Sequence, residues 1–88
     1  MRFTGKTALV TGAAVGIGRA TAIQLAKDGA KLILLDINEE KLRLVEEEIK
    51  EYTNDVLKFV CDVSDEKQVN QAVKEGSEKL GAIDILVN

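Results

Sequence analysis

Four short apolar segments recur along the chain, and each of the first three is followed by a longer segment with helical periodicity. The apolar segments are TALVT (7–11), KLILLD (31–36), VLKFVCDV (56–63) and IDILVN (83–88). They are nearly continuous in apolar residues, which is typical of parallel strands covered by helices on both faces. The pattern therefore predicts the order β-α-β-α-β-α-β and an α/β fold.

The three intervening segments carry apolar stripes at helical spacing. The first helix is predicted from about 17 to 28, the second begins after Asn38, and the third begins after Ser64. The stripes are Gly18, Ala22, Leu25, Ala26 and Gly29 in the first, Leu42, Val45, Ile49 and Tyr52 in the second, and Val69, Ala72, Val73, Gly76 and Leu80 in the third. Gly76 costs about 1 kcal/mol relative to alanine unless close contact with the sheet requires it. The sequence leaves that choice open.

Composition excludes several classes of function. The 88 residues suffice for one domain, and 12 basic against 15 acidic residues include no basic block, so no nucleic-acid partner is expected. With no histidine and the single Cys61, neither a metal site nor a disulfide is predicted, and a cytoplasmic, reducing setting is favoured. No apolar run reaches the roughly 20 residues of a membrane helix. A signal peptide at the N-terminus is disfavoured because glycines and threonines interrupt the run.

Three of the seven glycines fall within TGAAVGIG (11–18), between the first predicted strand and the first predicted helix. The free N–H groups and positive dipole at a helix N-terminus can bind a pyrophosphate without a basic side chain. Gly12 would then form the turn, Gly16 would let the backbone approach the phosphates, and Gly18 would let helix and strand pack closely. The alternative is a tight strand-to-helix turn without a ligand, but the position in the first β-α-β unit favours a dinucleotide.

Asp36 ends the second predicted strand, on the side of the sheet where the glycine turn opens. A carboxylate there would accept both hydroxyls of an adenosine ribose and repel a 2′-phosphate. Neither Val15 nor Ile37 is a basic residue that could neutralise that phosphate, so NAD is predicted in preference to NADP. The alternative is that Asp36 is a solvated turn residue.

Asp62 closes the third apolar segment in CDV. Its carboxylate would reach the adenine amino group while Val63 packs on the ring. Alternatively, Asp62 accepts free N–H groups near the helix that follows Ser64. Cys61 is predicted to be a small buried residue and not a nucleophile, because no histidine or nearby basic group would lower its pKa.

Together, TGAAVGIG, Asp36, CDVS and DILVN resemble the N-terminal half of the short-chain dehydrogenase/reductase family, over essentially all of the chain. The family motif, TG followed by three residues and GIG, is matched at Thr11, Gly12, Gly16, Ile17 and Gly18. The resemblance implies a Rossmann-like, doubly wound parallel sheet, here partial, with strand order 3-2-1-4. It also implies that Asp36, Asp62 and Val63 contact the cofactor. Asn88, the first asparagine of the family's N-N-A-G segment, would lie beside the adenosine ribose and steady the central strands.

The resemblance further implies an NAD-dependent oxidoreductase that transfers hydride between the nicotinamide and an alcohol or ketone. We expect 1–88 to be the dinucleotide-binding half, inactive alone, because the family's catalytic serine, tyrosine and lysine lie beyond N-N-A-G. Tyr52 is no substitute, since Val56 stands where the lysine would be. Without its neighbouring strand, 83–88 becomes an apolar edge, which predicts a homo-oligomer through that edge.

Two alternatives use the same pattern. The first is a non-catalytic or engineered nucleotide-binding half-fold. The second is a methyltransferase, which the GIG continuing into RATAIQLA disfavours. A phosphate-loop nucleotidase is excluded because no lysine followed by serine or threonine comes after the glycines.

Overall fold

The computed structural model describes residues 2–88 as alternating strands and helices. The strands are β1 (Thr7–Thr11), β2 (Lys31–Asp36), β3 (Val56–Val60) and β4 (Ile85–Val87), and the helices are α1 (Gly16–Lys27), α2 (Glu39–Ile49) and α3 (Glu66–Leu80). All strand pairs are parallel, and the sheet has the order β3-β2-β1-β4. The predicted α/β class, the Rossmann-like topology and the strand order 3-2-1-4 are therefore confirmed.

Alternate residues of the central strands enter two separate cores, one on each face of the sheet. On one face, Ala8, Val10, Leu32 and Leu34 pack with buried residues of α1 and α2. On the other, Leu9, Ile33 and Leu35 pack against α3. The nearly continuous apolar strands arise because both faces are covered.

The helical stripes are confirmed at most positions, but the prediction for Tyr52 is wrong. The helix α2 ends at Ile49, and the Tyr52 N–H donates to the Ile49 carbonyl in a turn. The side chain is therefore 47% exposed, with the Lys27 ammonium 5.5 Å from the ring centroid. Helical spacing predicts a buried position only as long as the helix continues.

Several element boundaries also differ from the prediction. The strand β3 ends at Val60 and not at 63, and β4 covers only 85–87 of the predicted 83–88. The helix α3 begins one residue later than predicted, because the residue that caps it is Asp65 and not Ser64. The Asp65 carboxylate accepts hydrogen bonds from the N–H groups of Lys67 and Gln68. At each of these three elements a side chain accepts a backbone N–H near the boundary: Gln68 accepts from Asp62 after β3, Asp84 accepts from Thr7 before β4, and Asp65 caps α3. Hydrophobic patterning does not detect such contacts.

Gly76 lies where α3 crosses Ile33. A Cβ added there would lie 2.6 Å from the Ile33 Cδ1, 3.1 Å from its Cγ1 and 3.2 Å from its Cγ2. Because Ile33 is fully buried and has little room to move, close packing on the sheet favours a residue without a Cβ at this position. This answers the question that the sequence left open.

We expect Gly76→Ala to lower the free energy of unfolding by about 1 to 3 kcal/mol, because overpacking outweighs the gain in helix propensity. Ile33→Val removes the Cδ1 atom, so the double variant should be less destabilised than the sum of the single changes. Denaturant unfolding measures all of these differences. As a control, Asn70→Ala on the exposed side of α3 should not destabilise the fold. A Gly76→Ala protein as stable as the wild type would contradict the packing argument.

Candidate functional site

The carboxyl ends of β1, β2 and β3 meet at a crevice that contains the predicted site. A cavity of about 150 Å³ there is lined by Gly12, Asp36, Ile37, Cys61, Asp62 and Val63. Apart from Cys61, every lining residue is a predicted cofactor-binding residue. The glycine turn and Asp36 therefore share one cleft, as the sequence analysis requires.

The three glycines of the 11–18 loop are required for two different structural reasons. Gly12 and Gly16 have φ values of +63° and +57°, in the left-handed region that side chains disfavour. At Gly18 the reason is space, because a Cβ would lie 2.1 Å from the Gly12 carbonyl oxygen. The close packing predicted for Gly18 is therefore present, and it joins the start of α1 to the turn after β1.

The N-terminus of α1 differs from those of the other two helices. Its N-cap residue, Val15, makes no side-chain hydrogen bond, and its first turn has no acidic residue. In contrast, Asn38 caps α2 and Asp65 caps α3, and the first turn of each of these helices contains at least one acidic residue. Among the three helices, α1 therefore presents N–H groups and a positive dipole end without a side-chain acceptor.

Two large apolar side chains flank this uncapped helix end. Val15 is 49% exposed and Ile17 is 84% exposed. Neither side chain belongs to the core, so core packing does not account for these two apolar residues. Val15, Gly16 and Ile17 are instead exposed at the start of α1.

Asp36 is tied to the glycine loop. Its Oδ2 accepts a hydrogen bond from the Ala14 N–H at 3.0 Å, and its Oδ1 accepts one from the Asn38 N–H at 2.9 Å. These two bonds leave further lone pairs on both oxygens for another donor. The contact with Ala14 shows that Asp36 does more than end a strand, and nothing in the local sequence pattern indicated that contact.

Asp62 makes the local contacts that the sequence analysis kept as its alternative role. Its Oδ1 accepts hydrogen bonds from the Ser64 N–H at 2.9 Å and the Ser64 hydroxyl at 2.6 Å. These bonds favour the ionised carboxyl group and hold the pKa of Asp62 below its ordinary value. Asp62 and Val63 are exposed at the rim of the crevice.

Cys61 is buried beneath that rim, as predicted. Burial raises the pKa of its thiol, and the nearby carboxylates of Asp62, Asp36 and Asp65 raise it further. The thiol therefore stays protonated and unreactive at neutral pH.

Asn88 lies across β1 from Asp36. The Thr11 hydroxyl donates to the Asn88 Oδ1 at 2.9 Å, so the ends of β1 and β4 are joined there. Asn88 borders a second cavity, of about 430 Å³, between the sheet and α3, which is otherwise lined mostly by apolar residues.

A second link between these strands involves Asp84, which sequence analysis did not single out. Its Oδ2 accepts a hydrogen bond from the Thr7 N–H at 3.0 Å, and its own N–H donates to the Thr7 carbonyl. Asp84 therefore anchors the start of the last segment to β1.

Across residues 2–88, no helix has the length and apolar content needed to cross a membrane.

The comparisons with known proteins agree with this geometry. The family described as short chain dehydrogenase matches residues 6–88. The chain therefore belongs to the short-chain dehydrogenase/reductase family and corresponds to the N-terminal portion of its members.

Three relatives illustrate the similarity. The chain is 45% identical over 89 residues to levodione reductase of Leifsonia aquatica, matching 99% of this chain and 33% of that protein. The structure of an NAD⁺-bound xylitol dehydrogenase matches with a TM-score of 0.93 and 41% identity, over 98% of this chain and 33% of the other. The L-sorbose reductase from Gluconobacter frateurii, complexed with NADPH and L-sorbose, matches with a TM-score of 0.90 and 34% identity, over 100% and 35%. The chain thus spans about one third of the length of these relatives.

Proposed function

We propose that the chain is the dinucleotide-binding region of an oxidoreductase and binds NAD. The observation that carries the proposal is that the Asp36 carboxylate shares one crevice with Gly12 of the glycine turn. It also accepts a hydrogen bond from the N–H of Ala14, which directly precedes the N-cap residue of the uncapped helix α1. The helix end suits a diphosphate, and the carboxylate suits the neighbouring ribose.

Each predicted site residue has a role in this proposal. The pyrophosphate would lie on the backbone of Gly12 and of Val15, Gly16, Ile17 and Gly18. The Asp36 carboxylate would accept the ribose hydroxyls beside Ile37. The adenine would lie against Val63, with its amino group near Asp62, and Asn88 would lie beside the adenosine ribose. Support comes from the shared cavity, which five of these residues line, and from the nucleotide complexes among the related structures.

The preference for NAD rests on charge. Relatives are known both with NAD⁺ and with NADPH, so the family alone does not choose between the two cofactors. At the Asp36 crevice, a 2′-phosphate would meet a carboxylate, with the uncharged residues Val15 and Ile37 at the two positions where a cation could offset it. We therefore propose NAD as the physiological cofactor.

Titration calorimetry with NAD, NADP and S-adenosylmethionine tests the proposal. We expect heat of binding with NAD, a much weaker response with NADP, and none with S-adenosylmethionine. Preferential binding of S-adenosylmethionine would instead support the methyltransferase alternative. Absence of binding to all three ligands by a folded protein would overturn the proposed function.

The proposed activity is that of an oxidoreductase. Hydride transfer between the nicotinamide and an alcohol or ketone would be carried out by the cofactor, with the protein orienting it. The exposed turn residue Tyr52 lies outside the crevice, and no residue of 1–88 is assigned a catalytic role. The second candidate is a non-catalytic nucleotide-binding module. NAD reduction with a panel of alcohols would distinguish it from an active enzyme.

We also propose that β4 mediates self-association with a second copy of the chain. Its hydrogen bonds go to β1 on one side only, and Leu86 on this uncharged strand is 66% exposed. Such an edge is complementary to another strand edge. We expect a dimer or larger species by sedimentation, and Leu86→Lys should shift the population towards monomer. Leu44→Lys on α2 is the control, since Leu44 is also exposed but lies away from the edge. A monomeric wild-type chain would contradict this proposal.

A further inference from the structure

Gln68, in the first turn of α3, connects that helix to the rim of the crevice. Its Oε1 accepts a hydrogen bond from the backbone N–H of Asp62 at 2.9 Å. Its Nε2 donates to the Asp65 Oδ2 at 3.1 Å. The two contacts fix the orientation of the side-chain amide, because one requires an acceptor and the other requires a donor.

The hydrogen bond between Gln68 and Asp62 lies just beyond the last backbone hydrogen bond of the sheet. The last backbone bond between β2 and the segment after β3 runs from the Cys61 N–H to the Asp36 carbonyl at 3.0 Å. One residue later, the Asp62 N–H has no strand partner and donates to Gln68 instead. The position of the Asp62 peptide therefore depends on a side chain of α3.

The Asp62 carboxylate is held by hydrogen bonds from Ser64. Its Oδ1 binds the N–H and hydroxyl of Ser64, and the Asp62 carbonyl accepts from the Asp65 N–H at 2.9 Å. Asp65 is also the residue that holds the Gln68 amide. The turn from Asp62 to Asp65 is thus a closed set of bonds with two connections to α3. Asp65 caps the helix, and the Gln68 side chain accepts from the Asp62 N–H.

We propose that Gln68 is a positioning residue for adenine recognition: by fixing the Asp62 peptide, it aims the Asp62 carboxylate at the adenine amino group. The inference rests on the proposed function. Gln68 is not among the residues that line the small crevice, so it acts through Asp62 and not by touching the nucleotide.

The test compares binding of NAD with binding of nicotinamide hypoxanthine dinucleotide, in which a carbonyl oxygen replaces the adenine amino group. We expect the wild-type chain to prefer NAD. Gln68→Met keeps the length of the side chain but removes both amide contacts, and it should reduce that preference roughly fivefold, the effect of one hydrogen bond. Gln71→Met is the matched control, since Gln71 lies on the same helix and its side chain bonds only to Glu75.

A double-variant experiment separates positioning from general stabilisation of the fold. In an Asp62→Ala background, Gln68→Met should cause no further loss of preference, because the carboxylate that it positions is gone. An additional loss in that background would overturn the inference, as would an unchanged preference in the single variant. If the wild-type chain binds neither dinucleotide, the proposed function fails and this inference fails with it. NAD binding with a preference insensitive to Gln68 removes the inference alone.

Discussion

Gly18→Ala is expected to abolish NAD binding and to lower the free energy of unfolding by about 3 kcal/mol or more, at or beyond the upper end of ordinary overpacking effects. The added Cβ would lie 2.1 Å from the Gly12 carbonyl oxygen, 2.8 Å from the Gly12 carbonyl carbon and 3.2 Å from the Thr11 carbonyl oxygen. All three are backbone atoms, so no side-chain rotation can relieve the clash. The start of α1 would have to move away from the turn.

That displacement would act directly on the proposed phosphate site, because the same turn and the same helix end form it. Denaturant unfolding measures the stability, and calorimetry measures the binding. Gly16→Ala provides a graded comparison, since a Cβ there meets nothing within 4 Å and the only cost is its φ of +57°. That cost is about 1 to 2 kcal/mol. A Gly18→Ala protein as stable as Gly16→Ala would contradict the packing argument.

The features that sequence analysis predicted well are those encoded locally. Continuous apolar runs identified all four strands because each strand packs at least one face against a hydrophobic core. The glycine spacing at 12, 16 and 18 located the turn because only glycine fits two left-handed positions and one close approach. Local patterns also put Asp36 at the end of β2, where topology brings it to the same crevice.

The features that were missed depend on contacts between distant residues. The bond from the Ala14 N–H to Asp36 spans 22 positions, and the bond from the Thr7 N–H to Asp84 spans 77. No periodicity records such pairs. Gln68 was overlooked for a related reason: on a helical wheel it is an ordinary exposed residue, and its role depends on where β3 ends. Tyr52 was misplaced because the stripe was extended past the last turn of α2.

The carboxylate of Asp36 is expected to control both the strength of NAD binding and the discrimination against NADP. We expect Asp36→Ala to weaken NAD binding by roughly 10- to 100-fold, because hydrogen bonds from ribose hydroxyls to a charged acceptor contribute about 1.5 to 3 kcal/mol. NADP should lose less affinity, or gain some, because the repulsion of its 2′-phosphate disappears. Calorimetry with both cofactors measures the ratio of the two dissociation constants.

Alanine at this position also removes the acceptor of the Ala14 N–H, so part of the lost affinity could come from a loosened glycine loop. Asp36→Asn separates the two effects. Its one side-chain oxygen can still accept from the Ala14 N–H, while the bond from the Asn38 N–H and the negative charge are lost. The glycine loop should therefore stay in place, and the discrimination against NADP should still fall. Asp55→Ala is the charge-matched control, because Asp55 precedes β3 at the opposite end of the sheet and is exposed. If Asp36→Asn kept the wild-type ratio, the selectivity would have to come from another part of the crevice, and the charge argument for NAD would be wrong.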